Sequence, residues 1–412
     1  MWAIAAHAEA DRRSAEQRRA AHADWQALLE EIRRLPGFAD FLRPPPIATL
    51  ARHAHAGPVV LVTVGPARAD ALILTDTPDP VHVVPLPTLT QEAVYRRAAS
   101  LTTAARSAAT RDAVLAVQRS AQQEILDILA WLWDEIAEPV LTHLGHTVTP
   151  AGEDPWPRVW WCPVGILASL PLHAAGHHTP GPDQHAGPRI VPDLVVSSYT
   201  PTVRALAHDH AGPGMAVNTL IVPVPDLPGA ELPGVTAETA AIKALITHAR
   251  TLDRPTREGV LALLPDHRVA HFACHGYADR EEPARSRLVL TDHATAPLTL
   301  ADITALHLDA DLAYLSACDT AVTAPHLADE ALHVTGAFHL AGYRHVIGTL
   351  WPIDDRTAAQ VAGDFYSQLT NGGAVPPRPD HAAQALHHAT TRLRTQHPTA
   401  PSLWAAHTHT GA

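Results

Sequence analysis

From residue 155 onward the chain alternates short apolar runs with amphipathic segments, and this alternation restricts the folds that it can adopt. Each apolar run has the length of a strand buried on both faces, and each amphipathic segment has apolar residues at helical spacing. Such alternation predicts an α/β fold with a mostly parallel sheet flanked by helices on both faces. The predicted strands are 158–162, 194–198, 219–223, 267–274, 311–316 and 345–350. The predicted helices are 201–209, 236–249, 256–264, 329–341, 355–370 and 380–396.

The part of the chain before residue 150 has a different pattern. Residues 1–35 are rich in Ala, with apolar side chains at helical spacing, and they predict a helix. From residue 91 to residue 144 the pattern is helical again, and Pro139 predicts a kink or a restart. Between these regions three β-branched runs separated by turn residues predict an antiparallel meander. The three runs are 59–64, 71–74 and 81–84.

Length and composition favour two lobes. A chain of 412 residues exceeds a typical single domain, and its hydrophobic content of 46% allows a sizeable core. A Pro- and Gly-containing stretch at 149–152 marks the change of pattern and predicts a boundary. We therefore expect an N-terminal helix with a smaller α/β lobe over 1–150, and a larger α/β lobe over 151–412.

Charge and cysteine content exclude several function classes. The chain has 30 Lys and Arg against 42 Asp and Glu, and a formal net charge of −12 gives no basic face for nucleic acid. No apolar run has the length of a membrane helix, and the first residues are too acidic for a signal peptide. Three cysteines are too few for a disulfide framework and suit a reducing compartment. We expect a cytoplasmic protein that binds neither nucleic acid nor membrane.

Two predicted strands end in residues that can carry chemistry. One strand leads into His275 and Gly276, and another leads into Cys318. Because parallel strands end at the same edge of a sheet, His275 and Cys318 would face each other if their strands are neighbours. They are 43 residues apart, an interval close to the one that separates His from Cys in caspases.

These residue types suit nucleophilic catalysis. An imidazole beside a thiol raises the fraction of reactive thiolate or accepts the thiol proton during attack, and it can then protonate a leaving amine. Gly276 has no Cβ, so its N–H can approach a substrate carbonyl closely and, with the N–H of Cys318, form an oxyanion hole. The structural alternative is that a Cys at the end of a buried strand is a small apolar filler and that the His is structural too.

Three stretches around these strand ends carry a family resemblance. They are His271-Phe-Ala-Cys-His275-Gly276, Leu315-Ser-Ala-Cys318-Asp-Thr320 and Gly348-Thr-Leu-Trp351-Pro-Ile-Asp354-Asp355. Together they resemble the CHAT family of caspase-like cysteine peptidases, which are relatives of separase. The resemblance is specific over 155–412 and looser over 38–150. It implies a catalytic caspase-like lobe preceded by a degenerate, pseudo-caspase-like lobe, with His275 as the catalytic His and Cys318 as the nucleophile.

Three acidic residues are candidates for a substrate pocket. In the resembling separases an acidic residue near Asp354 and Asp355 binds a substrate Arg, so the resemblance implies that role for one of them. Alternatively one or both cap the helix that begins near residue 356, since Asp is a good N-cap residue. Asp319 borders Cys318 and either shapes the pocket or bonds the local backbone in a turn.

The remaining Cys and His residues predict no second site. Cys274 precedes His275, so on a strand its side chain points to the opposite face and into the core, and Cys162 is also expected in the core. We interpret His407 and His409 as surface composition. No spacing of Cys and His typical of a zinc site occurs, and no phosphate-binding motif occurs. We therefore expect no metal and no cofactor.

The sequence supports three hypotheses for the function. The first is a cysteine endopeptidase that cleaves a protein or peptide substrate with His275 and Cys318. The resemblance suggests that an upstream activator protein regulates it, in a bacterial defence or cell-death pathway. The second is a catalytically silent caspase-like scaffold that binds a partner protein. The third is another thiol enzyme, an acyltransferase or a peptide ligase.

Overall fold

A computed structural model of the chain describes residues 2–110, 114–151, 155–178, 189–207, 217–279, 282–317 and 334–412, without the side chains of residues 2–15. The chain divides into two compact units, Met1–Leu50 and Ala51–Ala412. The first unit contains the long helix α1 (Trp2–Arg33), which the pattern of residues 1–35 predicted. Near its end the guanidinium of Arg33 donates to the carbonyl of Phe41 over 2.9 Å.

The second unit is built on one large sheet and one small sheet. In chain order the strands are β1 (Val59–Val64), β2 (Ala69–Leu74), β3 (Val81–Pro85), β4 (Arg158–Pro163), β5 (Val196–Tyr199), β6 (Thr219–Pro223), β7 (Arg250–Thr251), β8 (Val269–Ala273), β9 (His275–Tyr277), β10 (Arg287–Val289), β11 (Leu298–Thr299), β12 (Ala310–Ser316), β13 (Tyr343–Thr349) and β14 (His407–Gly411). The large sheet has the order β3-β2-β1-β4-β5-β14-β13-β12-β8-β6-β7, and the small sheet has the order β11-β10-β9.

Most neighbours in the large sheet are parallel. Strands β1, β4, β5 and β14 pair in parallel, as do β13, β12, β8, β6 and β7. The two parallel groups meet where β14 pairs antiparallel with β13, and β1, β2 and β3 form an antiparallel meander at one edge. The mostly parallel sheet and the meander are both confirmed.

Helices cover both faces of the large sheet. They are found among α3 (Gln91–Ala109), α4 (Leu115–Leu132), α5 (Glu138–His143), α6 (Pro233–Leu245), α7 (Arg257–Leu263), α8 (Leu300–Thr304), α9 (Val334–Leu340), α10 (Asp355–Leu369), α11 (Ala382–Gln396) and α12 (Pro401–Trp404). The short helix α2 (Ile47–Ala51) begins in the first unit and is not one of them. One core contains apolar residues of α3, α4, α6, α10 and α11, and the other contains those of α7, α8 and α9. In the described ranges, no helix has both the length and the apolar character that a membrane span requires.

Alternating strand residues supply the two cores. On β8, Val269 belongs to one core, and Ala270 and Phe272 belong to the other. The same alternation holds on β12, where Tyr314 and Leu315 lie on opposite faces. The sheet is therefore buried on both faces, which explains why its central strands are recognisable as continuous apolar runs.

Several predicted elements differ in detail from the structure. The helix predicted at 201–209 is a short 3-10 turn, Val203–Leu206, and residues 208–209 lie outside the described part. The helix predicted at 329–341 is described only from Val334. Pro139 does mark a restart, because it lies at the beginning of α5, directly after a π-helical turn.

The large sheet continues across the boundary that the sequence predicts near residue 150. Strand β1 precedes that boundary and β4 follows it, and the two pair in parallel from Val59 opposite Trp160 onward. The division into a degenerate lobe over 1–150 and a catalytic lobe over 151–412 stays a prediction.

Strand β14 lies in the middle of the large sheet, and the interpretation of its histidines as surface residues was wrong. His407 is 3% exposed and His409 is 1% exposed. Ring nitrogens of His409 lie 3.1 Å from Nδ1 of His345 and 2.8 Å from Oγ of Ser198, on the strands to either side. Burial lowers the pKa of His407 to about 4, and it holds the pKa of His409 well below its usual range.

The buried imidazole of His407 predicts a loss of stability in acid. Its pKa is lower in the folded chain than the ordinary 6.5, so the unfolded chain takes up the proton first as the pH falls. The contribution of His407 to the free energy of unfolding is complete above about pH 6.5. It is lost as the pH falls towards the pKa of His407 in the folded chain, about 4, at up to about 1.4 kcal/mol per pH unit. We expect the urea midpoint to fall between about pH 6.5 and about pH 4.

The matched variants are His407→Gln and, at an exposed position on α11, His388→Gln. We expect His407→Gln to reduce the slope of the urea midpoint against pH and His388→Gln to leave it unchanged. An unchanged slope in His407→Gln would contradict the assignment.

Candidate active site

The strands that lead to His275 and Cys318 are neighbours, which was the condition for the two residues to face each other. Strands β8 and β12 are parallel and in register, so that Ala273 lies opposite Ser316 at their carboxyl ends. Beyond β12, the carbonyl of Ala317 accepts a hydrogen bond of 2.9 Å from the hydroxyl of Thr349 on β13. The two segments therefore leave the sheet side by side. Cys318 and Asp319 themselves lie outside the described residues.

The chain turns out of the large sheet at Cys274 and enters the small sheet directly. The N–H of Cys274 still donates to the carbonyl of Ser316, at 3.3 Å, and its side chain is buried in the core as expected. His275 then begins β9 and lies opposite Val289 on β10, while Gly276 lies opposite Leu288. The backbone of His275 is thus held on both sides, because Cys274 still bonds to the large sheet and His275 itself pairs within the small sheet.

A backbone carbonyl holds the imidazole of His275. Its Nε2 lies 2.8 Å from the carbonyl oxygen of Ala230. A carbonyl oxygen can only accept, so Nε2 carries the hydrogen, and in the neutral ring the lone pair is on Nδ1. The contact selects the tautomer in which Nδ1 is the basic atom.

Ala230 belongs to a compact loop between β6 and α6. The loop is closed by a 2.7 Å hydrogen bond from the N–H of Leu232 to the carbonyl of Pro225, and the N–H of Ala230 donates to Leu227 over 2.8 Å. Gly229 has a φ of +78°, a conformation that favours glycine, and it directs the chain towards Ala230. The carbonyl that holds His275 is therefore presented by a loop with its own hydrogen bonds.

Helix α6 follows this loop and is joined to β8 by a buried pair of ionisable groups. Oε1 of Glu238 lies 3.1 Å from Nε2 of His271, and both side chains are buried. The ring of His271 stacks on Tyr314 with centroids 5.0 Å apart, and Tyr366 packs edge-on at 5.5 Å. Burial, and then the Glu238 carboxylate, holds the pKa of both tyrosines well above the usual range, so their hydroxyls stay protonated.

Asp354 and Asp355 each accept hydrogen bonds from backbone N–H groups at the N-terminus of a helix. Asp354 caps α10 and accepts from the N–H groups of Arg356 at 3.1 Å and Thr357 at 3.2 Å, so the capping alternative is confirmed for it. Asp355 accepts from the N–H of Gly234, near the start of α6. Negative charge at these positions also complements the helix dipoles. A role for either residue in a substrate pocket stays a prediction.

Sequence reasoning missed Ala230 and Glu238. Ala230 acts through its carbonyl, so its side chain carries no signal. Glu238 is one acidic residue on an amphipathic helix, a position where exposure is the rule. The available signal was Leu232-Pro233-Gly234, where a Pro in the first turn marks the start of α6 and therefore locates the loop before it.

The described residues supply an acid–base group but no metal-binding group. His275 is held in one tautomer at the edge where β8 and β12 end. In the parts of the chain that the structure describes, no cluster of three His, Cys, Asp or Glu side chains is suited to a metal ion. The arrangement offers an imidazole of defined tautomer as a group for proton transfer.

Comparison with protein families gives one match. The model of the CHAT domain matches residues 126–412, more than half of the chain. No curated protein matches the sequence.

Separase and RgpB are two of the solved structures that match this chain. Separase from Saccharomyces cerevisiae, in its complex with securin, has a TM-score of 0.60 and 10% identity, over 89% of this chain and 31% of the separase chain. RgpB from Porphyromonas gingivalis, with its pro- and mature domains, has a TM-score of 0.39 and 12% identity, over 71% of this chain and 76% of the RgpB chain. At such identities the likeness to separase shows the fold, which is caspase-like, and this chain spans less than a third of separase.

The contact between Asp355 and Gly234 predicts the effect of a methyl group at Gly234. A Cβ there would lie 2.7 Å from Cγ of Asp355 and 2.8 Å from its carbonyl oxygen. We expect Gly234→Ala to lower the free energy of unfolding by about 1–3 kcal/mol, because the two helix ends must separate.

The control is Gly363→Ala on α10, where a Cβ would meet nothing within 4 Å. That variant should keep or raise the free energy of unfolding, by up to about 1 kcal/mol, because Ala is the better helix former. Urea unfolding of both variants measures the difference. Equal midpoints would show that Gly234 is not confined by Asp355.

Proposed function

Because the chain belongs to the CHAT domain family, we propose that it is a cysteine endopeptidase that cleaves a protein substrate with His275 and Cys318. The observation that carries the proposal is the register of β8 and β12, whose carboxyl ends lie side by side. Each strand is followed two residues later by one member of the dyad. The caspase-like fold and the tautomer of His275 that Ala230 selects support the same assignment.

The proposed reaction begins with the thiol of Cys318. Nδ1 of His275 accepts the thiol proton, and the sulfur attacks the carbonyl carbon of the scissile peptide bond. The N–H groups of Gly276 and Cys318 donate to the resulting oxyanion. Nε2 of His275 keeps its hydrogen bond to Ala230, which stabilises the ring while it carries the extra proton.

The second half of the reaction releases the two products. The tetrahedral intermediate collapses, the C–N bond breaks, and Nδ1 returns its proton to the leaving amine. Water, with His275 again as the base, then attacks the thioester, and the C–S bond breaks to release the acid and the thiol. The same imidazole therefore acts as base, acid and base in turn.

We assign the pocket for the residue before the cleaved bond to Asp319, Asp354 and Asp355. Asp354 and Asp355 already accept backbone hydrogen bonds at helix ends, so Asp319 is the first of the three to test. Asp319 also borders the nucleophile in the sequence. An acidic pocket would favour a substrate Arg.

We further propose that a partner protein controls the peptidase, in a bacterial defence or cell-death pathway in the cytoplasm. The support for a partner is the separase structure, which is a complex with securin. A net charge of −12 and only three cysteines suit a soluble protein in a reducing compartment.

Labelling with a peptide acyloxymethyl ketone probe tests the dyad. We expect the probe to modify Cys318, Cys318→Ala to abolish labelling, and His275→Ala to slow it by about 10²-fold or more, because the imidazole activates the thiol. Peptide mapping by mass spectrometry locates the label.

A probe set that varies the residue before the warhead reports the pocket preference. Loss of an Arg preference in Asp319→Asn would assign the pocket.

Cys162→Ala is the matched control, because Cys162 is a buried cysteine that takes no part in the proposed reaction. Burial raises the pKa of the Cys162 thiol to about 11, so it should not react and its removal should leave labelling unchanged. Labelling that persists in Cys318→Ala would contradict the dyad. No labelling, even with cell lysate added as a source of activator, would favour the silent scaffold. Transfer to an added amine in preference to water would favour a ligase.

A further inference from the structure

The strand that begins with His275 has an exposed face formed by four side chains. His275 and Tyr277 are two residues apart on β9 and point to the same face, and their partners on β10 are Val289 and Arg287. We call His275, Tyr277, Arg287 and Val289 the hairpin face. The opposite face is core, since Leu288 is buried there with its neighbour Leu298.

The hairpin face combines an exposed aromatic ring with a positive charge. Tyr277 is 47% exposed, and the guanidinium carbon of Arg287 lies 4.2 Å from the centre of its ring. His275, Arg287 and Val289 are each partly exposed. The aromatic ring holds the guanidinium against the sheet surface and leaves its N–H groups directed to solvent or to a ligand.

Arg287 forms no ion pair with any residue that the structure describes, although acidic residues are plentiful. The chain has 42 Asp and Glu against 30 Lys and Arg, and Arg257, Arg268 and Arg285 each contact a carboxylate. A partly exposed guanidinium without a carboxylate partner suits a ligand that brings its own negative charge.

The hairpin face lies beside His275, and this position indicates which part of a substrate would contact it. In the proposed reaction His275 gives its proton to the leaving amine, so the groups around His275 face the segment that begins with that amine. Tyr277 and Arg287 are two strand positions away, about 7 Å, which is also the length of about two residues of an extended peptide.

We propose that the hairpin face binds the substrate segment that follows the cleaved bond, and that Arg287, held by Tyr277, selects an acidic side chain in the second or third residue of that segment. The inference rests on the proposed function, because it takes His275 as the acid that protonates the leaving amine. It adds a preference on the opposite side of the cleaved bond from the pocket assigned to Asp319.

The test uses internally quenched peptides that differ at one residue. The residue before the bond is the one that the probe set selects, and the second and third residues after it are Glu, Gln or Lys. We expect kcat/KM to be roughly 3- to 10-fold higher for Glu than for Lys, the size expected for a partly exposed charge pair. Reaction with the acyloxymethyl ketone, which carries no residue after the bond, counts the active sites in each preparation.

Charge reversal separates recognition from a structural role of Arg287. Arg287→Gln should remove the preference, and Arg287→Glu should reverse it in favour of Lys, which a loss of folding cannot produce. The control is Arg285→Gln, at an exposed arginine paired with Glu282, which should keep the wild-type preference.

The outcomes distinguish this inference from the proposed function. A protein that labels at Cys318 and cleaves the peptides with no charge preference, or with one that persists in Arg287→Glu, overturns the inference alone. A protein that neither labels nor cleaves any peptide overturns the proposed function, and the inference fails with it.

Discussion

The buried contact between Glu238 and His271 joins the two elements that lead to the proposed catalytic edge. Each group is costly to bury alone, and a shift of α6 along β8 would separate Oε1 of Glu238 from Nε2 of His271, which lie 3.1 Å apart. The loop before α6 carries Ala230, and the chain after β8 carries His275. The pair therefore links the two elements that lead to this carbonyl and to this imidazole. The adjacent carboxylates of Asp354 and Asp355 add a second constraint, since they join the beginning of α10 to the beginning of α6.

Hydrophobic patterning predicts the fold where a strand consists of apolar residues that are buried on both faces of the sheet. Runs such as 59–64 and 219–223 gave strands with the predicted bounds, because a continuous β-branched run has few other stable arrangements. Strand β14 escaped prediction because its sequence, His-Thr-His-Thr-Gly, has no apolar residue, and its buried His409 is bound instead by neighbours on β5 and β13. Strands β9, β10 and β11 are too short to show a period.

The candidate site was predictable where side chains carry the chemistry. The position of His275 after a buried strand followed from an apolar run that ends in a reactive residue, whereas the pairing of that strand with β12 was a condition of the hypothesis and came from the structure. The carbonyl of Ala230 could not be predicted, since any residue supplies the same group, and its position depends on the loop that Gly229 and Leu232 shape. The adjacent acids Asp354 and Asp355 show a further difficulty: capping and substrate recognition require the same residue type, and only the contacts show that Asp354 caps a helix.

The central position of β14 has a consequence for how the chain folds. Among the described strands it is the last in sequence, yet it is the only one that joins the group containing β5 to the group containing β13. Its partner β5 is far away along the chain, so this pairing closes a long loop, and contacts of that kind form slowly. Until residues 407–411 have been synthesised and have left the ribosome, β5 and β13 each have an open hydrogen-bonding edge. Completion of the sheet is thus a late event in folding, and until then the exposed edges of β5 and β13 are where aggregation or chaperone binding would begin.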